Sequence, residues 1–207
     1  MNPVASLSRF FLDIVETVVV ALSIFLVIYL FFMQPHQVNG QSMEPNFHNG
    51  EYVLTDKVSY HTGVPQRGDV VVFHAPPAAG CPDGTGCDFI KRVLGVPGDT
   101  IAVKDNHIWL NGSILPESYI DPSMEINAGE FTRGGREVVL GPDEYFVSGD
   151  NRPFSSDSRS WGPIKRADIV GRAFFRYLPL DRAGLISRVS YQGVTAGDTQ
   201  RVEFSAQ

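Results

Sequence analysis

The first sixth of the chain contains its longest charge-free apolar run. TVVVALSIFLVIYLFFM, Thr17 to Met33, carries no charge and is almost wholly nonpolar. Coiled as a helix it would reach roughly 26 Å, close to the ~30 Å hydrocarbon core of a bilayer. Asp13 and Glu16 in the preceding turn suit a helix N-terminus at a lipid interface. After Met33 the pattern changes to short apolar or alternating stretches, each bounded by Gly, Pro, Asn or Asp. Those stretches predict strands at 51–58, 69–74, 89–94, 100–104, 107–110, 113–115, 137–140, 144–147 and 169–177. Asn111-Gly112 between two of them is the strongest hairpin signal in the chain. Residues 116–136 are rich in turn formers and look like an insertion, and 149–163 form a long polar loop. The expected layout is an N-terminal segment (1–9), a membrane anchor helix (10–33) and an antiparallel β-rich domain (34–180). A polar tail (181–207) without clear periodicity follows and is expected to be loosely attached.

Composition agrees with a packed β-rich body. The chain has 207 residues, 43% hydrophobic, with 20 Gly and 14 Pro to make turns. Its formal charge is −6 and no basic stripe is visible, which argues against nucleic acid as a partner. Arg9 precedes the apolar run, whereas the other flank has no Lys or Arg until Lys57. The positive-inside rule then puts the N-terminus in the cytoplasm and the β domain outside the cell membrane, as a single-pass protein. A cleaved signal peptide is the alternative. The run is longer than a usual signal-peptide core, and no small-x-small site directly follows Met33. Cys81 and Cys87 bracket PDGTG. In an oxidising compartment such a pair reads as a local disulfide contributing about 2 kcal/mol. Two free thiols are the alternative. A zinc site would need about four ligands, and no CxxC or HxxxH accompanies the pair.

Several catalytic signatures are absent. Gly40-Gln41-Ser42 is followed by Met43-Glu44, not the glycine of a hydrolase elbow. No lysine lies three residues after a serine, since Leu54, Asp88, Ile101 and Gly162 hold those positions. No P-loop or dinucleotide fingerprint occurs. A serine nucleophile needs a base, and none of His36, His48, His61, His74 and His107 sits in a motif. Lys91 in FIKRVL differs. On a strand it shares a face with Phe89 and Val93, and burial there would disfavour the ammonium form and lower its pKa. The plainer alternative is a lysine that snorkels from a strand edge.

Four stretches in order resemble the signal peptidase I family of membrane-anchored serine proteases: NGQSMEPN (39–46), RGDVVVF (67–73), FIKRVLGVPGD (89–99) and GDNRPFSSDSRSWGPI (149–164). The resemblance implies a mainly β catalytic domain and a Ser–Lys dyad, with Ser42 as nucleophile and Lys91 as general base. It further implies that Ser155 hydrogen-bonds the lysine amine, and that Asp157 and Arg159 brace that loop. Arg92 lies beside the base, and Gly149, Asp150 and Asn151 shape the loop behind the site. It also implies an oxyanion hole that includes the Ser42 N–H. Some members supply a second donor from a hydroxyl two residues earlier, where this chain has Gly40. Pro153-Phe154 replaces a frequent acidic-polar pair. Met43 is expected near the substrate groove or against lipid. The implied substrates are secretory preproteins with small residues one and three positions before the cut, bound as an added strand beside the bilayer, with no metal or organic cofactor. Two rivals are a tethered β domain that only binds, and a Ser–Lys protease that cuts itself or a regulator.

Overall fold

Helix α1 (Pro3–Phe31) carries the N-terminal apolar run in a computed structural model that describes residues 3–81 and 87–191. Its stretch Phe10–Val27 has a mean hydropathy of 2.4, and none of it is buried against the rest of the protein. A helix apolar on every face normally belongs inside a core or a bilayer. The hydroxyls of Thr17 and Ser23 donate to the carbonyls of Asp13 and Val19, at 2.7 and 2.8 Å, so neither polar group is left open on that surface. The helix stops at Phe31, short of the expected residue 33. Pro35 explains the stop, because it biases Gln34 toward extended backbone and cannot donate to a helix.

The residues after α1 form an unforeseen strand, β1 (Met33–Gln37). It pairs antiparallel with β2 (Tyr52–Asp56), Met33 opposite Asp56 and Gln37 opposite Tyr52. The Lys57 N–H also donates to the Phe32 carbonyl at 3.1 Å. Helix and sheet therefore meet without a linker. Helix α2 (Ser59–Thr62) then leads to β3 (Val70–His74) and β4 (Asp88–Gly95). A meander follows of β5 (Thr100–Lys104), β6 (His107–Leu110) and β7 (Ser113–Ile114). Asn111 and Gly112 take φ of 51° and 80°, the pair of positive values that a tight hairpin turn needs. The later elements are β8 (Val138–Val139), β9 (Glu144–Ser148), α3 (Ser158–Trp161), β10 (Ile164–Lys165), β11 (Ile169–Leu178) and β12 (Gly184–Leu185).

The strands build two sheets. The larger runs β1-β2-β11-β3-β4-β9-β10, with β12 also on β11, and the smaller runs β7-β6-β5-β8. β11 is the spine, and its register shifts against β2 and β3 let the sheet twist and curl. Three buried clusters hold the layers. Leu94 and Phe146 join the sheets by packing with Ile101, Ile108, Leu110 and Leu140. Val71, Phe73, Val93 and Val147 form a second cluster, and Val38, Met43, Phe47, Val53, Val70 and Ala173 a third. Each of the buried Val, Leu, Ile, Phe and Met side chains contributes about 1.5–3 kcal/mol of burial energy.

The tail is not loose as far as it is described. Ile186 packs on the third cluster, Arg188 donates to Asp69 at 2.7 Å, and the Tyr191 hydroxyl meets that of Tyr119 at 3.2 Å. The rest of the expected tail, 192–207, lies outside the described residues, as does the turn 82–86. Cys81 and Cys87 are joined as a disulfide, their Cα atoms 6.0 Å apart.

Candidate active site

The turn between β1 and β2 presents Ser42. Two backbone bonds close it, Glu44 N–H to Gln41 C=O at 3.1 Å and Phe47 N–H to Met43 C=O at 2.9 Å. Met43 and Phe47 are both buried in the third cluster and fix the turn to the sheet. Met43, expected near the substrate groove or against lipid, has its side chain fully buried beneath the turn and is not part of the lining of the cavity in front of Ser42. Gly40 does lie on the cavity wall, with φ of +94°, a backbone state that side-chain-bearing residues rarely adopt.

Lys91 lies on β4 opposite Val71 of β3 and is only 4% exposed. Its Nζ donates to Ser42 Oγ at 2.7 Å and to the Ile90 carbonyl at 3.0 Å, and lies 5.2 Å from the centre of the Phe89 ring. Burial lowers its pKa to about 8, although the charges of Asp157 and Asp150 pull the other way.

Behind the Ser42–Lys91 contact stands a set of buried ion pairs. Asp157 is fully buried, and that burial would raise its pKa. Arg159, donating from Nε and Nη2 at 2.8 and 2.7 Å, outweighs burial and holds the carboxyl low. Arg159 also donates to the carbonyls of Arg152 and Asn127, so this pair is an internal brace and not a solvated one. Arg92 points away from Lys91 and grips Asp150 with two bonds, 2.8 and 2.6 Å, beneath the Tyr119 ring. Gly149 must be glycine on steric grounds. A Cβ there would lie 2.3 Å from both Ser155 Oγ and the Ser42 carbonyl oxygen.

Ser155 departs from expectation. Its hydroxyl is buried close to this cluster but makes no hydrogen bond, and the lysine amine donates to the Ile90 carbonyl instead. Ser155 lies close enough to the Asp157 carboxyl to help hold it low, after Arg159. Other site residues carried no signal of their own in the sequence. Glu117 and Tyr119, from the 116–136 segment, hold the fully buried Arg152, and Asn46 bridges Asp150 to the Tyr119 carbonyl. Among the described residues no group of three or more His, Cys, Asp or Glu is arranged to hold a metal ion.

In front of the dyad lies a cavity of about 510 Å³, walled by His36 to Ser42 on one side and Asp88 to Lys91 on the other. Among the described residues β1 is an end strand of its sheet, paired with β2 alone. β4 pairs with β3 along Asp88–Arg92 and with β9 only from Arg92 onward, so its first half also offers a free edge. Val38, Val53, Val72, Phe89 and Ile90 give the cavity an apolar lining.

An unpacked apolar helix, an antiparallel β body and a serine–lysine contact in a groove define a class, the membrane-associated serine endopeptidases. The chain belongs to the family described as signal peptidase, peptidase S26, which its sequence matches over residues 11–178. It is 34% identical over 179 residues to signal peptidase IB of Staphylococcus aureus (strain COL), covering 81% of this chain and 90% of that protein. To a probable signal peptidase I-1 of Synechocystis it is 33% identical over 192 residues, covering 92% and 94%. A crystal structure of a signal peptidase I from Enterococcus faecalis aligns at 29% identity and a TM-score of 0.40, over 53% of this chain and 97% of that one. The protein is a serine endopeptidase of this family, and its β-rich fold behind one apolar helix is consistent with it.

Proposed function

We propose that the protein removes N-terminal signal peptides from secretory preproteins at the outer face of the cell membrane, with Ser42 as nucleophile and Lys91 as its general base. The observation that carries this reading is the 2.7 Å contact between Ser42 Oγ and the buried Lys91 amine, whose pKa burial lowers to about 8. An amine that is partly neutral near physiological pH can accept the hydroxyl proton.

Ser42 Oγ attacks the scissile carbonyl carbon while its proton passes to Lys91 Nζ. The tetrahedral oxyanion is met by the Ser42 N–H. Collapse breaks the C–N bond, and Lys91 returns the proton to the departing amine. Water then gives a proton to Lys91 and adds to the acyl ester. The ester C–Oγ bond then breaks, Lys91 returns its proton to Ser42 Oγ, and the new carboxyl group leaves.

The groove favours an extended peptide. The facing edges of β1 and β4 supply unpaired backbone groups for an added strand, and the apolar side chains that line the space between them leave room for small residues before the cut. β1 starts two residues after α1 ends, so one strand of roughly 17 Å separates the helix from the nucleophile turn. A preprotein exposes its cleavage site just beyond its own apolar run, at similar depth. Lys and Arg are absent between Arg9 and Lys57, which supports an outward-facing β domain.

The test is cleavage of one secretory precursor by the purified full-length protein in detergent, with the new N-terminus sequenced. Ser42→Ala and Lys91→Ala are each expected to abolish cleavage while staying folded. Full activity in either variant refutes the dyad.

A further inference from the structure

The peptide plane before the nucleophile is held from one side by a single residue. The Gln41 carbonyl accepts the Glu44 N–H of the turn at 3.1 Å and the Asn151 side-chain Nδ2 at 3.0 Å. One residue on, the Ser42 carbonyl accepts the backbone N–H of Asn151, also at 3.0 Å. Asn151 therefore grips the carbonyls on both sides of the Ser42 Cα. Its own loop is fixed. Gly149 C=O accepts Arg152 Nε at 2.8 Å, Arg152 C=O accepts Arg159 Nη2 at 2.7 Å, and Phe154 N–H donates to Asn151 C=O at 3.1 Å.

The consequence follows from peptide planarity. The cis peptide bonds are Glu44–Pro45 and Leu178–Pro179, so Gln41–Ser42 is trans. In a trans peptide the C=O and N–H point in opposite directions. With the Gln41 oxygen turned back to Asn151, the Ser42 N–H is turned the other way, toward the cavity that Gln41 and Ser42 line and Asn151 does not. No acceptor meets that N–H among the described residues. Gly40 offers no substitute, because it has no side chain and its N–H is committed to Asn49 Oδ1 at 2.8 Å.

We propose that Asn151 is a positioning residue for the oxyanion hole, its side-chain amide aiming the Ser42 N–H at the oxygen that gains charge during attack. The proposal rests on Ser42 being the nucleophile. Asn151 touches no reacting atom and acts through the peptide plane. Full loss of one oxyanion donor costs about 10²–10³ in kcat, and loss of its aim costs less, about 10–100-fold.

The test compares full-length wild type, Asn151→Asp, Asn151→Ala and Ser42→Ala on one precursor and on one peptide aldehyde. Both Asn151 variants keep the backbone N–H that bonds Ser42. The Asp variant keeps the shape but sets an acceptor against the Gln41 carbonyl. The aldehyde adds the serine O–H across its C=O to give a hemiacetal, so its affinity reports on the oxyanion position. Expected are a kcat reduced about 10–100-fold with KM within about twofold, aldehyde inhibition weakened by a similar factor, and an unchanged unfolding temperature. An Asp variant with wild-type kcat overturns the proposal. So does a loss confined to KM, or one matched by a lower unfolding temperature. Activity in Ser42→Ala would instead overturn the nucleophile assignment, and this proposal with it.

Discussion

At the scale of single residues, Lys91 carries a stability cost that its proposed chemistry would require. Its pKa of about 8 in the fold lies below its ordinary value of 10.5. The unfolded chain therefore holds the proton more tightly, and burial of the ammonium opposes folding wherever both states are protonated. The cost, about 3 kcal/mol, is present in full below pH 8, fades between 8 and 10.5, and is gone above. Lys91→Leu should thus be more stable than wild type at pH 7 and lose that advantage by about pH 10.5, in paired urea titrations. Tyrosines with raised pKa values, such as Tyr119, are common to both proteins and cancel in the difference. If Lys91 is the base, the same titration should make kcat/KM rise about tenfold per pH unit below 8 and level off above it. A flat profile from pH 6 to 9 would remove Lys91 as the base. Sequence pattern alone left Lys91 open between buried base and snorkelling edge residue. The choice depends on Ser42, 49 positions earlier, whose side chain local periodicity cannot place. Asn151 was legible as part of a loop box, but its grip on two carbonyls depends on a turn 110 residues away.

At the scale of elements, the strands with clear alternation were legible to within a few residues, and the Asn111-Gly112 hairpin formed as its turn chemistry dictates. β1 was not, because it is polar, contains Pro35, and exists only through pairing with β2. β10 and β12 have two residues each, too short for any period. The turn-rich segment 116–136 has no periodicity either, yet it supplies Glu117, which meets Arg152 with two bonds of 2.7 and 2.6 Å. Arg152 in turn holds the Gly149 carbonyl at 2.8 Å, so the segment buttresses the loop behind the dyad. Glu117→Ala leaves a fully buried guanidinium without its carboxylate, which should cost about 3–5 kcal/mol and reduce activity with it. Arg152→Leu in the same chain removes the stranded charge and should recover part of the loss. Denaturant melts of the two single variants and the double variant measure this coupling. Strictly additive losses would show that the pair is not a unit.

At the scale of the whole molecule, the unpacked helix and the groove are two parts of one address. No residue of Phe10–Val27 is buried against the β domain, so removing the helix takes little from the core. β1 is different, because it forms a wall of the cavity and begins at Met33. Two deletions separate these contributions. A chain starting at Phe32 should fold and cleave a short soluble peptide within a few-fold of the full-length protein. On a precursor embedded in vesicles it should fall by about 10²–10⁴, because enzyme and substrate no longer share a surface that concentrates them. A chain starting at Asn39 should lose peptide cleavage as well, because β4 then faces an open side. The measurement is initial rate on both substrates for all three proteins, with circular dichroism to follow the fold. If the Phe32 chain processed embedded precursor as fast as the full-length protein, the helix would contribute nothing to meeting the substrate, and the groove alone would have to account for the choice of target.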